Sequence, residues 1–133
     1  MDVRNAKIRP TIEHGGTCKT FFMVPKESVR DETKDSYLEY VSEFEIAPGT
    51  HLEPHRHNTH EFFYVLSGRA LMRIEKEQRE VGPGDLIHIP PNAAHSIGPV
   101  DGSSVPMRAL AFAASFLPPG GSGTEAEPAE LPE

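Results

Sequence analysis

Glycine and proline punctuate this chain at short intervals, and none of the segments between them shows a helical stripe to match its β patterning. Gly15-Gly16, Pro25, Pro48-Gly49, Ser67-Gly68, Gly82-Pro83-Gly84, Pro90-Pro91-Asn92, Gly98-Pro99 and Asp101-Gly102 recur at short intervals. Each interrupts regular structure, because glycine admits left-handed dihedrals and proline fixes φ and removes an amide donor. Between them lie short segments of β character at 20–24, 37–46, 61–66, 70–74, 86–89 and 108–116. In the second, Leu38, Tyr40, Phe44 and Ile46 alternate with Glu39, Glu43 and Glu45. That period of two gives a strand with one buried and one wet face. Many short strands joined by tight turns imply an all-β sandwich or barrel.

The chain has 133 residues, enough for one domain with a real core, whereas two domains would each be marginal. Its ends read differently from its middle. Residues 1–17 form an N-terminal arm, 18–117 the barrel, and 118–133 a flexible acidic tail that starts with a Pro/Gly/Ser-rich run. Residues 26–34 are charged and read as a connecting loop. The net charge is −7, and Glu125, Glu127, Glu130 and Glu133 supply more than half of it. Such a balance gives no electrostatic reason to approach nucleic acid or an anionic membrane. Cys18 is the only cysteine, so no intrachain disulfide forms, which fits a reducing compartment. Beyond the adjacent Lys19 it has no electropositive setting in sequence, and it is not a candidate catalytic thiol. The first residues lack the apolar stretch of a signal peptide, and the longest apolar run, near 109–117, is too short to span a bilayer. The expectation is a cytoplasmic protein.

Six of the seven histidines fall between positions 51 and 95. His55 and His57 are separated by one residue, which on a strand sends both side chains to one face, roughly 6.5–7 Å apart. Glu61 opens the apolar run Phe62-Phe63-Tyr64-Val65-Leu66, and a carboxylate aimed into such surroundings needs a partner. A metal ion is an obvious one. About thirty residues downstream, the turn at Gly84, the run Leu86–Ile89 and the rigid Pro90-Pro91-Asn92 loop lead into His95.

The stretch from Gly49 to Gly68 matches the first cupin motif at every defined position: glycine, five residues, His-x-His, three residues, Glu, six residues, glycine. The stretch from Gly84 to Pro99 resembles the second motif with two departures, Asn92 for the loop glycine and Pro99 for the terminal asparagine. Asn92 is a mild change, since Asn tolerates left-handed backbone. The chain therefore resembles a small cupin, which implies a double-stranded β-helix, the jelly-roll barrel. Carried over position by position, the cupin metal ligands correspond to His55, His57, Glu61 and His95, with Glu61 also the catalytic candidate.

Three imidazoles and a carboxylate leave open positions on an ion, and this donor mixture suits Fe(II) or Mn(II) first, with Ni(II), Co(II) or Zn(II) as alternatives. The resemblance implies an enzyme acting on a small oxygen-bearing molecule, a dioxygenase before a lyase, isomerase or cyclase. A ligand-binding or sensory cupin without turnover is the alternative from another class. Candidate pocket residues are Tyr40, Phe44, His51, Glu53, Phe63 and Phe112. His60 and Tyr64 have the wrong parity to face the ion, the direction of His88 is open, and His14 has no visible role. The apolar segment at Phe21-Phe22-Met23-Val24 and the family resemblance together imply a homodimer, with exchange of N-terminal strands one way to build it.

Overall fold

The structure, a computed structural model, describes residues 1–25, 37–116, 123 and 125–133. Eleven strands follow one another along these residues. They are β1 (Thr11–Glu13), β2 (Cys18–Val24), β3 (Leu38–Ile46), β4 (His55–Arg56), β5 (His60–Ser67) and β6 (Ala70–Ile74), followed by β7 (Glu77–Val81), β8 (Leu86–Ile89), β9 (His95–Pro99), β10 (Met107–Ala114) and β11 (Glu127–Pro128). A single 3-10 turn, His14–Gly16, joins β1 to β2. The strands form two sheets ordered β1-β2-β3-β10-β5-β8 and β11-β4-β9-β6-β7, and every pairing is antiparallel. This is the jelly-roll barrel of a double-stranded β-helix. No helix among the described residues is long and apolar enough to cross a membrane.

Period-two alternation builds the interior. On β10, Met107, Ala109, Ala111 and Ala113 are buried while the residues between them are half-buried. On β5, Glu61, Phe63 and Val65 point inward. Opposite them, Ala70 and Met72 of β6 and Ile97 of β9 close the core. β3 departs from the expected alternation at one place: Glu39 is fully buried beside buried Tyr40. The register explains it. Ala113 pairs with Tyr40 and Ala114 with Leu38, so the ladder skips Glu39 at a bulge, where one side chain is re-aimed.

Turn chemistry fixes the loops that carry the site. Asn92 adopts φ 62°, the left-handed geometry expected of it. Its amide donates to the His57 carbonyl (2.6 Å), and its side chain donates to Asn58 (3.0 Å). The tip of the β6–β7 hairpin, where Glu75 has φ 50°, holds the other side of that loop. Glu75 N donates to Ala94 O (2.8 Å), and Ala94 N donates to Glu75 Oε1 (2.7 Å). Residue 99, where proline replaces asparagine, ends β9 opposite Ala70.

The connecting loop expected at 26–34 lies outside the described residues, as do positions 118–122 and 124 of the acidic tail. Where the tail is described, it lies along the barrel. Gly123 O accepts from Asn58 N (3.0 Å), Glu127 pairs with Arg56, and Ala129 N donates to Pro54 O (3.2 Å). The N-terminal strand β2 pairs with β3 of its own chain.

Candidate metal centre

β4 and β9 meet at one residue pair, His55 opposite His95. His57 follows β4 immediately, and Glu61 enters from β5 in the other sheet. All four side chains are buried, and one donor atom from each lies within 4.8 Å of the others. Ring centroids are 4.6 Å apart for His55 and His57, 4.3 Å for His55 and His95, and 5.6 Å for His57 and His95. Glu61 Oε1 lies 3.3 Å from His95 Nε2, and Oε2 lies 3.6 Å from His57 Nε2.

Hydrogen bonds orient these donors. His55 Nδ1 donates to Glu53 O (2.7 Å), and His95 Nδ1 donates to Ala93 O (2.9 Å). A carbonyl oxygen only accepts, so Nδ1 carries the proton in both rings and Nε2 presents its lone pair to the centre. Metal-bound histidines are commonly fixed in this way. His95 Nε2 is buried with no hydrogen-bond partner among the described residues, a state that is costly unless something else satisfies it. An orphaned lone pair beside a buried carboxylate and two further imidazoles fits a divalent ion with mixed nitrogen and oxygen donors.

The local electrostatics agree. Burial, the nearby His95 and the His14 ring hold His55 down at about 2, against the backbone bond from Glu53. It is therefore neutral, as a ligand must be. Burial pushes the Glu61 carboxyl up, but the adjacent His95 and His57 imidazoles and the Tyr40 hydroxyl outweigh it and hold Glu61 at about 2. Tyr40 Oη donates a hydrogen bond to Glu61 Oε2. Burial and the adjacent carboxylate push that phenol well above its usual range.

Of the expected pocket residues, Tyr40, Phe44 and Phe63 line the cavity together with His55, His57 and Glu61. His51, Glu53 and Phe112 do not. Residues 47–54 form a loop, so parity with His55 carries no information there, and His51 and Glu53 are exposed. Glu53 supports the site through its backbone carbonyl. Phe112 alternates with inward Ala111 and Ala113 and stacks on Phe62 outside the barrel, centroids 5.1 Å apart. His60 and His88 lie on that outer face too, with His60 Nδ1 2.9 Å from His88 Nε2.

His14 is the residue that sequence reasoning missed. Its ring stacks on His55 at 4.0 Å with an interplanar angle of 27°, and it stands edge-on to His57 at 6.4 Å. It enters from the N-terminal arm, far in sequence from the other histidines. The Gly15-Gly16 pair beside it was the available signal, marking a tight turn at that point.

Comparison with known proteins agrees with this architecture. Residues 42–112 match the cupin domain family. The uncharacterized protein MJ1618 of Methanocaldococcus jannaschii is 32% identical over 105 residues, covering 78% of this chain and 78% of that protein. The dimethylsulfoniopropionate lyase DddW of Ruegeria pomeroyi is 34% identical over 104 residues, covering 77% of this chain and 67% of that protein. Among solved structures, a predicted oxalate decarboxylase of Thermotoga maritima superimposes with a TM-score of 0.72 at 19% identity, covering 87% of this chain and all of that one. With both motifs on one barrel and their four ligand positions gathered at one point, the chain belongs to the cupin family.

Proposed function

We propose that this chain is a metal-dependent enzyme acting on a small oxygen-bearing organic molecule by proton transfer, as a lyase or isomerase does. The ion is held by His55, His57, Glu61 and His95, with Fe(II) or Mn(II) the first candidates and Ni(II), Co(II) or Zn(II) the alternatives. The observation that carries the reading is the buried Tyr40 hydroxyl, which lines the cavity and donates to Glu61. When bound, a divalent ion supplies positive charge that polarises a carbonyl or carboxylate. Tyr40 holds a proton at Oη next to that charge, and moving it to or from substrate is general acid–base work. Glu61 fixes the direction of the hydroxyl. Phe44, Phe63 and Leu52 make part of the wall apolar. The lyase relative from Ruegeria pomeroyi supports chemistry of this class on a small organic acid.

A dioxygenase is the second reading, supported by the mixed nitrogen and oxygen donors and the apolar walls. Anaerobic and aerobic assays of singly loaded Fe(II), Mn(II), Co(II), Ni(II) and Zn(II) forms separate the two. The panel is small carboxylates, hydroxy acids, diketones, sugars and sulfonium acids. Proton transfer gives anaerobic turnover, deuterium uptake from D₂O, and loss of both in Tyr40→Phe. Turnover only with O₂ consumption establishes the dioxygenase instead. A loaded protein that binds panel members and turns over none in either atmosphere is a ligand-binding or sensory cupin.

The partner proposed for the outer face is a second copy of the chain. Phe62 and Phe112 lie there, together with exposed Tyr64, Leu66 and Leu86, a greasy sheet surface of the kind symmetric pairing covers.

A further inference from the structure

The cavity at the ligand cluster measures about 40 Å³, room for a few water molecules and no more. Tyr40, Phe44, Phe63 and Ala111 form one side of it, and Glu13 and His14 form another. The first group belongs to the barrel. The second comes from the end of β1 and the turn that follows it, far in sequence from residues 42–112 that match the family.

That turn is held in an unfavourable shape. His14, Gly15 and Gly16 have φ of 51°, 67° and 89° in succession, and a non-glycine residue persists in the left-handed region only when its surroundings impose it. Thr17 imposes it here. Its Oγ1 and N donate to His14 O (2.7 and 3.3 Å), and Glu53 N donates to the same Oγ1 (3.2 Å). Gly15 packs so closely on Glu53 that a Cβ would stand 2.7 Å from Oε2. Glu53 also supplies the carbonyl that orients His55. The turn is thus anchored to the segment that aims a ligand, and its one large side chain lies over that ligand.

We propose that His14 is a specificity-determining residue: its ring caps the ligand cluster and sets how large a molecule can reach the ion. The inference rests on the metal-dependent reading above and adds a size limit imposed from outside the barrel motif. Its consequence is selection for compact acids over branched ones, because the space a bulkier ligand needs is filled by an imidazole whose backbone is tied down.

Two variants test it without fighting the backbone. His14→Gly removes the ring and suits positive φ, and His14→Asn keeps a shorter side chain that tolerates the same geometry. Each protein is loaded with Co(II) and titrated with formate, acetate, propionate, 2-methylpropanoate and 2,2-dimethylpropanoate, following the visible Co(II) absorption. In the wild type, affinity should fall steeply with branching. In His14→Gly, the preference for acetate over 2,2-dimethylpropanoate should shrink by about tenfold or more, the scale on which pockets discriminate by a methyl or two. His14→Asn should fall between. Unchanged preference across the three Co(II)-loaded proteins overturns the cap, as does the absence of any anion response in all three. A wild type that takes up no Co(II) overturns the metal reading itself, and the cap with it.

Discussion

His55 and His95 stand opposite each other across β4 and β9 in the same local arrangement, each ring bonded through Nδ1 to the carbonyl two residues earlier. The two sheets are joined at this point, because these imidazoles come from one sheet and Glu61 from the other. A bound ion therefore links the sheets as well as filling the site. We expect about one divalent ion per chain, and removing it with chelator should lower the melting temperature, since binding to the folded state alone stabilises it. Elemental analysis and calorimetry check this. Retention of the ion by His55→Ala/His57→Ala would sink the assignment.

Acid should destabilise the metal-free protein. Folding holds His55 at about 2 against an ordinary 6.5, and Glu61 at about 2 against 4.5. In both cases the unfolded chain takes up a proton that the folded one refuses, so stability rises with pH across the interval. The His55 contribution is intact above pH 6.5 and erodes below it, and that of Glu61 erodes below pH 4.5. Melting temperature measured against pH should decline from near neutrality downward. A flat profile between pH 7 and 5 contradicts the buried neutral His55.

Asn92 couples loop geometry to the site through the hydrogen bond that its backbone N–H donates to His57 O. Asn92→Gly keeps φ 62° accessible and should leave metal affinity within a few-fold. Asn92→Val should cost about 1–2 kcal/mol, because a β-branched residue is poorly accommodated there. Thermal unfolding and Co(II) titration of both variants decide the matter. Equal behaviour of Gly and Val would show that the loop does not depend on that dihedral.

The C-terminal residues brace the short strand β4. Ending the chain at residue 122 removes the β11 ladder and the bond from Asn58 N to Gly123 O. β4 would then be an edge strand, held by β9 alone. Losing about one net hydrogen bond's worth of support, near 1 kcal/mol, should weaken metal binding roughly fivefold. The Arg56–Glu127 contact at 3.5 Å is exposed and should contribute little. Identical metal affinity in full-length and shortened proteins would show that β11 is only a passenger.

Dimerisation through the outer face should give about twice 14.7 kDa by light scattering. Tyr64→Lys combined with Leu86→Lys, both exposed positions there, should return the protein to monomer with the barrel intact by circular dichroism. A monomeric wild type at micromolar concentration rules the pairing out.

Most of the barrel could be read from the chain because alternation and turn chemistry act locally. The β3, β5, β6, β8 and β10 segments all carry that signal, and the ligand spacing put His55, His57, Glu61 and His95 within reach of one point. β7 was invisible: Glu77-Gln78-Arg79-Glu80 has none of the usual β composition, since it is an edge strand whose charges face water. Parity failed for His51 and Glu53 because it presumes a strand where there is a loop. His14 could not be placed from spacing at all. Its position depends on how the arm folds back over the barrel, which is long-range packing.

β10 lies between β3 and β5, so the strands that carry Tyr40 and Glu61 are not neighbours. Their backbones stand two strand spacings apart, about 9–10 Å. Ala113 is paired with both of them and is wholly buried, so phenol and carboxylate meet by reaching over a single methyl group. That methyl works as a spacer gauge. A larger side chain at position 113 would wedge donor from acceptor, leaving both residues in place and their contact gone.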